Sequence, residues 1–291
     1  MGRPQYFTAI TVLICAQIAV FAADDAGAKT TKKILFFSKS TRFEHDVVKQ
    51  VKGAPSFAEK ILSELGSKNH FEITTTKDGT VFTPEYLAKY DAIIFYTSGD
   101  LLQKAVDGSP PMTAEGKALL IETVKNGKPF IAIHNALATF DKGANVDPYI
   151  EMIGGESMGH GKQQKGVNVC VDTKFPGCVE LQDGFNVMEE WYSNKNFAKD
   201  IHVILVQNPK GMEGGLYNRQ PYPATWARMF GKGRVFVTGL GHREDVWTSA
   251  AFQNLLAGGI KWALGEVEAD LTPNIETVAP HYADMPAKET K

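Results

Sequence analysis

The sequence predicts an α/β protein built on a doubly wound, mostly parallel sheet with helices on both faces. Three observations carry this. Apolar runs such as Lys33-Ile-Leu-Phe-Phe-Ser38 show no polar alternation, as expected of strands covered on both sides. They alternate with segments whose apolar residues recur at three- and four-residue spacing, at lengths suited to crossover helices. Glycine turns mark the boundaries, most clearly in Gly231-Lys-Gly-Arg-Val-Phe-Val-Thr-Gly-Leu-Gly-His242, which reads as a strand Arg234–Thr238 between two turns.

Taken in order, the chain opens on residues 1–23, with a positive charge at Arg3, an apolar run from Phe7 to Phe21 and the small Ala22: the pattern of a secretory signal. Cleavage after Ala22 or Ala23 would leave the protein periplasmic or secreted, with no membrane partner. The run is shorter than the ~20 residues of a spanning helix, and an uncleaved anchor is the alternative. Residues 24–31 form a polar linker, 32–265 the folded domain and 266–291 a proline-punctuated tail read as an irregular strap.

Within the domain, Lys33–Ser38 is the first strand. A helical pattern from Val47 to Leu65 follows, divided by Pro55 and ending at Gly66. Phe71–Thr76 is a strand, Thr83-Pro-Glu-Tyr a helix start, Ala92–Tyr96 a strand, Met112–Asn126 a helix and Pro129–His134 a strand. Asp147-Pro148 opens a short helix that stops at Gly154-Gly155. From Gly166 the texture shifts to shorter strands, Val167–Val171, Cys178–Leu181, Ile201–Val206 and Ala224–Arg228, read as an elaboration of the same sheet. Thr248 is read as the cap of a last long helix, Ala250–Leu264.

At 291 residues, 43% hydrophobic and 22% charged, the chain can bury a sizeable core. Its net charge of −2 offers no excess of cations for phosphate backbones, so nucleic acid is not expected as a partner. A homo-oligomer stays open. Cys170 and Cys178 flank a turn-forming stretch and either close a local disulfide loop or pack as small apolar residues; their spacing matches no zinc motif.

In a parallel sheet the loops after the strands' carboxyl ends converge on one crevice. Four histidines fall at such places: His45 after the first strand, His134 at the end of Pro129–Ile133, His160 in a glycine-rich loop, and His242 after Arg234–Thr238. Convergent imidazoles suit proton transfer near neutral pH or coordination of a divalent metal, and the sequence leaves both open, since the spacings match no local metal motif. Glu189-Glu-Trp-Tyr192 sets two carboxylates beside two aromatics, where desolvation raises a carboxyl pKa or lets it orient a histidine; surface acids beside a packed Trp are the alternative. Trp191, Tyr192, Trp226 and Trp247 are candidate platforms for a flat ligand face, with core packing the competing explanation. His70, His202 and His281 fall away from that edge and are read as structural. No dinucleotide fingerprint, Walker motif or Gly-x-Ser-x-Gly occurs, and Asn135 stands where related sheets place a Cys or Ser nucleophile.

The order of these stretches resembles the ThuA-like (trehalose utilisation) proteins. The resemblance runs through Ile34-Leu-Phe-Phe, Phe43-Glu-His45, Gly127-Lys-Pro-Phe-Ile-Ala-Ile-His-Asn-Ala136, Ile153-Gly-Gly-Glu, His160, Glu189-Glu-Trp-Tyr192, Pro223-Ala-Thr-Trp226, Gly231 through His242, and Trp262-Ala263. The usual Asp-Glu-Leu-Tyr appears as Glu189–Tyr192, and a common His-Pro pair reads Phe175-Pro176. The resemblance implies a flavodoxin-like fold of the class I glutamine amidotransferase type, without amidotransferase chemistry because the cysteine is absent, and a role in disaccharide breakdown alongside oxidoreductases that make 3-keto sugars. The expectation is therefore an enzyme acting on a disaccharide or keto-sugar by hydrolysis, elimination or isomerisation. His134 and His242 would transfer protons, with Glu190 orienting them or acting as base. His45, His160, Tyr192, Trp226 and Trp247 would bind substrate. No cofactor is certain, with a divalent metal on His45, His134, His160 and His242 kept open. A noncatalytic sugar-binding or scaffolding module is the alternative.

Overall fold

The computed structural model describes residues 1–2, 30–141 and 145–287; nearly all of the signal sequence expected over 1–23 lies outside these. In chain order the strands are β1 Lys32–Phe37, β2 Phe71–Thr76, β3 Ala92–Phe95, β4 Phe130–Ile133, β5 Glu156–His160, β6 Gln164–Cys170, β7 Phe185–Glu189, β8 Tyr192–Lys195, β9 His202–Asn208, β10 Tyr222–Phe230 and β11 Gly233–Thr238. The helices are α1 Phe57–Asn69, α2 Pro84–Leu87, α3 Ala114–Lys125, α4 Pro148–Ile153, α5 Glu244–Thr248, α6 Ala250–Ala263 and α7 Ile275–Val278. Nine strands form one sheet in the order β2-β1-β3-β4-β11-β10-β9-β6-β7, and β5 pairs with β8 in a separate two-stranded sheet.

The sheet has two halves. From β2 to β11 every pairing is parallel; from β11 to β7 every pairing is antiparallel. The expected parallel character thus belongs to the core half. The antiparallel half arises where connections are too short for crossover helices, as in the β10–β11 turn at Gly231.

Alternating residues of the parallel strands enter two cores, the structural meaning of unbroken apolar runs. Ile34, Phe36, Ile131, Ile133 and Phe236 face α1 and α6 with Leu62, Leu256 and Ile260. Leu35, Phe37, Phe130, Ala132, Val235 and Val237 face α3 and α4 with Leu120, Val124, Ile150 and Ile153. Each fully buried side chain of this size is worth about 1.5–3 kcal/mol, enough to hold the strand ends rigidly.

Local chemistry sets the boundaries. Ser56 and Glu59 form a reciprocal capping box that starts α1 just after Pro55; the helical stretch expected before Pro55 is only a 3-10 turn, Asp46–Val48. Ser249, not Thr248, caps α6, because Thr248 still belongs to α5. The expected strand Cys178–Leu181 is a 3-10 turn over Val179–Leu181, its chain turned back by hydrogen bonds from Cys178 N to Phe175 O and from Leu181 N to Cys178 O. Cys170 and Cys178 are free thiols. In the tail, Asn274 donates to and accepts from the Val203 backbone, which fastens this segment to β9.

Candidate functional site

Three parallel strands, β1, β4 and β11, deliver histidines at one edge, with β3 between the first two. His45 stands in the loop after β1, at the entrance to a 3-10 turn of Asp46–Val48. His134 follows β4 with φ +47°, a left-handed conformation that a non-glycine residue adopts at a cost, so the surrounding packing must enforce it. His242 follows β11 after Gly241, whose φ is +116° and whose missing Cβ would lie 3.1 Å from Ile133 Cγ2. Only glycine turns the chain there without strain.

These imidazoles converge on Glu190, between β7 and β8. His45 Nε2 and His134 Nε2 each lie 3.5 Å from Glu190 Oε2, and His242 Nδ1 lies 3.2 Å from the same atom. His160 Nδ1 approaches the other oxygen, Oε1, at 3.3 Å. One ligand atom from each of His45, His134, Glu190 and His242 lies within 4.8 Å of the others, a grouping compact enough to hold one ion. His160 lies outside that quartet, and its side chain is 43% exposed at the cleft.

The outward nitrogen of each ring is held. His134 Nδ1 meets the Gly239 carbonyl at 2.8 Å, His45 Nδ1 meets the Asn135 amide at 3.1 Å and His242 Nε2 meets Gln163 at 2.8 Å. The inward nitrogens of all three are buried without a hydrogen-bond partner among the described residues. Burial drives His134 down to about 4 against the pull of Glu190, and lowers His45 for the same reason. Burial alone would raise Glu190, but the imidazoles of His134, His242 and His45 that face it hold it far below the usual carboxylate range. The arrangement therefore sets an anionic carboxylate against two imidazoles, His45 and His134, whose neutral forms burial favours.

A second ring of groups positions the first. Glu189 is fully buried; its two oxygens accept hydrogen bonds from Glu190 N at 2.9 Å and Gly241 N at 3.1 Å, tying the two site segments together. Burial raises its pKa to about 7. Tyr192 stacks on His134 at 4.4 Å and donates to Asn135 Oδ1 at 2.8 Å, so it supports the cluster while lining the cleft. Asn135 and Gln163 have no supporting role readable from sequence, because hydrogen bonds across 79 to 90 residues leave no local pattern.

Two expectations need correction. Trp226 and Trp247 are both completely buried and cannot offer a face to a ligand. Trp226 donates to the Ile153 carbonyl at 2.8 Å beneath the start of β5, and Trp247 donates to the Gly241 carbonyl at 2.7 Å, where Tyr96 also donates. Their indole N–H groups explain their burial: each satisfies a turn carbonyl that aims a histidine-bearing loop. The exposed aromatic at the cleft is Phe43, 62% accessible and set edge-on to His45 at 4.9 Å. His134, also fully buried, lines neither lobe of the cleft and backs the lining residues Glu190, Tyr192 and His45.

The cleft has two lobes that share Phe43 and Glu190. One, of about 480 Å³, is lined by His45, Asn135, His160, Tyr192 and the Arg42–Asp141 ion pair; the other, of about 640 Å³, by His242, Gln163, Arg243 and Asp245. Both volumes fall within the range of small-molecule sites.

A family model described as trehalose utilisation matches residues 33–263. The chain belongs to the ThuA family. ThuA-like proteins of solved structure share its fold at low identity: one from Bacteroides uniformis, 20% identical, covers 84% of this chain and 95% of its own with a TM-score of 0.64. Another from Parabacteroides merdae, 16% identical, covers 83% and 92% with a TM-score of 0.58. A cytoplasmic protein of Salmonella typhimurium, 16% identical, covers 79% of this chain and 98% of its own with a TM-score of 0.52. No curated protein matches the sequence. Membership ties the ThuA chain to trehalose utilisation and so to a sugar-related role.

Proposed function

We propose that this protein is a secreted or periplasmic enzyme that acts on a disaccharide or its keto derivative, with Glu190, His134 and His242 as its reaction centre and His45, His160 and Tyr192 completing the pocket. The observation that carries the reading is the convergence of three imidazole nitrogens on one carboxylate oxygen at the junction of a two-lobed cleft. A binding module for neutral hydroxyls has no need of such a centre, since amides and carboxylates hold hydroxyls without it. The two lobes suit two sugar rings on either side of Glu190, and Phe43 offers the apolar face on which a ring can lie.

The chemistry that fits is proton abstraction beside a carbonyl, as in elimination from or isomerisation of a keto-sugar. A base takes the α-proton while an electrophilic group stabilises the charge on the carbonyl oxygen. His160 and His242 reach the cleft and are placed for the proton. The buried cluster behind them is anionic at Glu190 and can serve that oxygen only through a cation it holds or an N–H it presents. Hydrolysis by paired carboxylates is disfavoured, because Glu189 uses both oxygens on backbone N–H groups. The test is turnover of 3-keto-disaccharides by wild type, His134→Ala and His242→Ala. We expect activity in the wild type and a loss of about 10²-fold or more in each variant. Equal rates in all three would remove the centre from the reaction, and sugar affinity without turnover would leave a binding module.

A further inference from the structure

We propose that His45 Nε2, His134 Nε2, His242 Nδ1 and Glu190 Oε2 form a binding site for a single divalent transition-metal ion. The side-chain geometry of this quartet is independent of which sugar the cleft accepts.

Distance comes first. A tetrahedral ion with bonds of about 2.0–2.1 Å separates its ligand atoms by about 3.3–3.4 Å. The three imidazole nitrogens lie 3.5, 3.5 and 3.2 Å from Glu190 Oε2. That is too long for good hydrogen bonds to a carboxylate and close to the edge of a coordination tetrahedron. The rings also meet one another at centroid distances of 4.8 to 5.4 Å, as ligands around one centre do.

Tautomers add a second argument. The Gly239 carbonyl can only accept, so His134 Nδ1 carries a proton and donates it. In the neutral ring Nε2 then presents a lone pair to the Glu190 carboxylate, two acceptors face to face in a fully buried position. Either a proton or a metal cation must lie between them. Three imidazoles share that one carboxylate oxygen, and a single ion satisfies all of them at once where separate protons would place like charges side by side. The outer contacts have the form of a metal site's supporting shell, with each ring held by its other nitrogen. Asn135 can turn its oxygen to His45, because its other partner is the Tyr192 hydroxyl, which can donate or accept. Gln163 Oε1 accepts from Arg243 Nη1 at 2.7 Å, so His242 carries its proton outward and frees Nδ1 for an ion only when Gln163 releases Arg243.

The donor set names the metal class: three imidazoles with one carboxylate suit zinc, iron or manganese better than the thiol-seeking ions or calcium. A bound ion would act as the electrophile for a carbonyl or hydroxyl oxygen reaching it from the cleft. It would occupy His242 Nδ1 and leave proton transfer to His160, which lies outside the quartet.

The test is elemental analysis of full-length protein purified without chelator or metal-affinity resin, followed by titration of the dialysed protein with Zn²⁺ and Co²⁺. We expect about one ion per chain and visible d–d absorption from the cobalt form, with affinity reduced at least tenfold in His134→Ala and Glu190→Gln but retained in His160→Ala. The wild-type cobalt spectrum keeps the test valid if a variant fails to fold. Absence of both a co-purified ion and saturable binding overturns the site, as does binding that survives His134→Ala and His242→Ala together. An ion bound without turnover of any keto-disaccharide refutes the sugar assignment and leaves the site standing; turnover without an ion does the reverse.

Discussion

His134 and His202 are both buried histidines in the same sheet, each facing a carboxylate, and they are in opposite condition. His202, at the start of β9, satisfies both nitrogens: Nδ1 with the Thr272 carbonyl at 2.8 Å and Nε2 with Asp172 Oδ2 at 3.0 Å. His134 satisfies Nδ1 at 2.8 Å and holds Nε2 at 3.5 Å from a carboxylate oxygen that two further imidazoles also face. One carboxylate per imidazole makes a closed hydrogen bond, and the other ring nitrogen fastens Thr272 of the tail to β9. Three imidazoles per carboxylate oxygen leave donors and acceptors uncompleted, which is a state proteins maintain where a ligand or a reaction completes it.

That difference can be broken by paired substitutions. Glu190→Gln should lower turnover by about 10²–10⁴-fold, because the amide can neither carry the charge nor satisfy three rings. Asp172→Asn should leave turnover unchanged and cost about 1–3 kcal/mol in urea denaturation as His202 loses its charged acceptor. Similar kinetic effects from the two would erase the distinction. A smaller effect is expected from Trp247→Phe, which keeps most of the packing but removes the donor to Gly241: about 1 kcal/mol of stability and a modest fall in kcat as the turn before His242 loosens. The smallest change in stability, within about 0.5 kcal/mol, is expected for the exposed Phe43→Ala, whose signature is a severalfold rise in KM at nearly constant kcat. A drop in kcat with KM unchanged would move Phe43 from sugar stacking to the support of His45.

Much of the site was legible before the fold. His45, His134 and His242 share a carboxyl-end position, and parallel topology brings such ends together; His160, expected in a loop at the same edge, instead ends β5 in the separate antiparallel pair with β8. Glu190 was legible from Glu189-Glu-Trp-Tyr192, but the division of labour between the two acids was not. Glu189 closes β7 and turns inward to two backbone amides, while Glu190 leaves the strand and enters the cluster. The tryptophans were misread for a related reason. Composition shows an aromatic beside a motif but not which way its indole N–H points, and both Trp226 and Trp247 point it at a buried carbonyl.

By itself the sequence determined the parallel half of the sheet, because strands buried on both faces must be apolar throughout and that pattern is local. It also determined which histidines stand at strand ends, because glycine turns and strand lengths are local as well. Tertiary structure alone decided that three of those rings meet one carboxylate oxygen while the fourth stays at the cleft, and that Phe43 rather than a tryptophan meets solvent there. These outcomes depend on strand order and on hydrogen bonds between residues far apart in the chain, such as Gly241 N to Glu189 Oε2, and no local pattern of residue types encodes them.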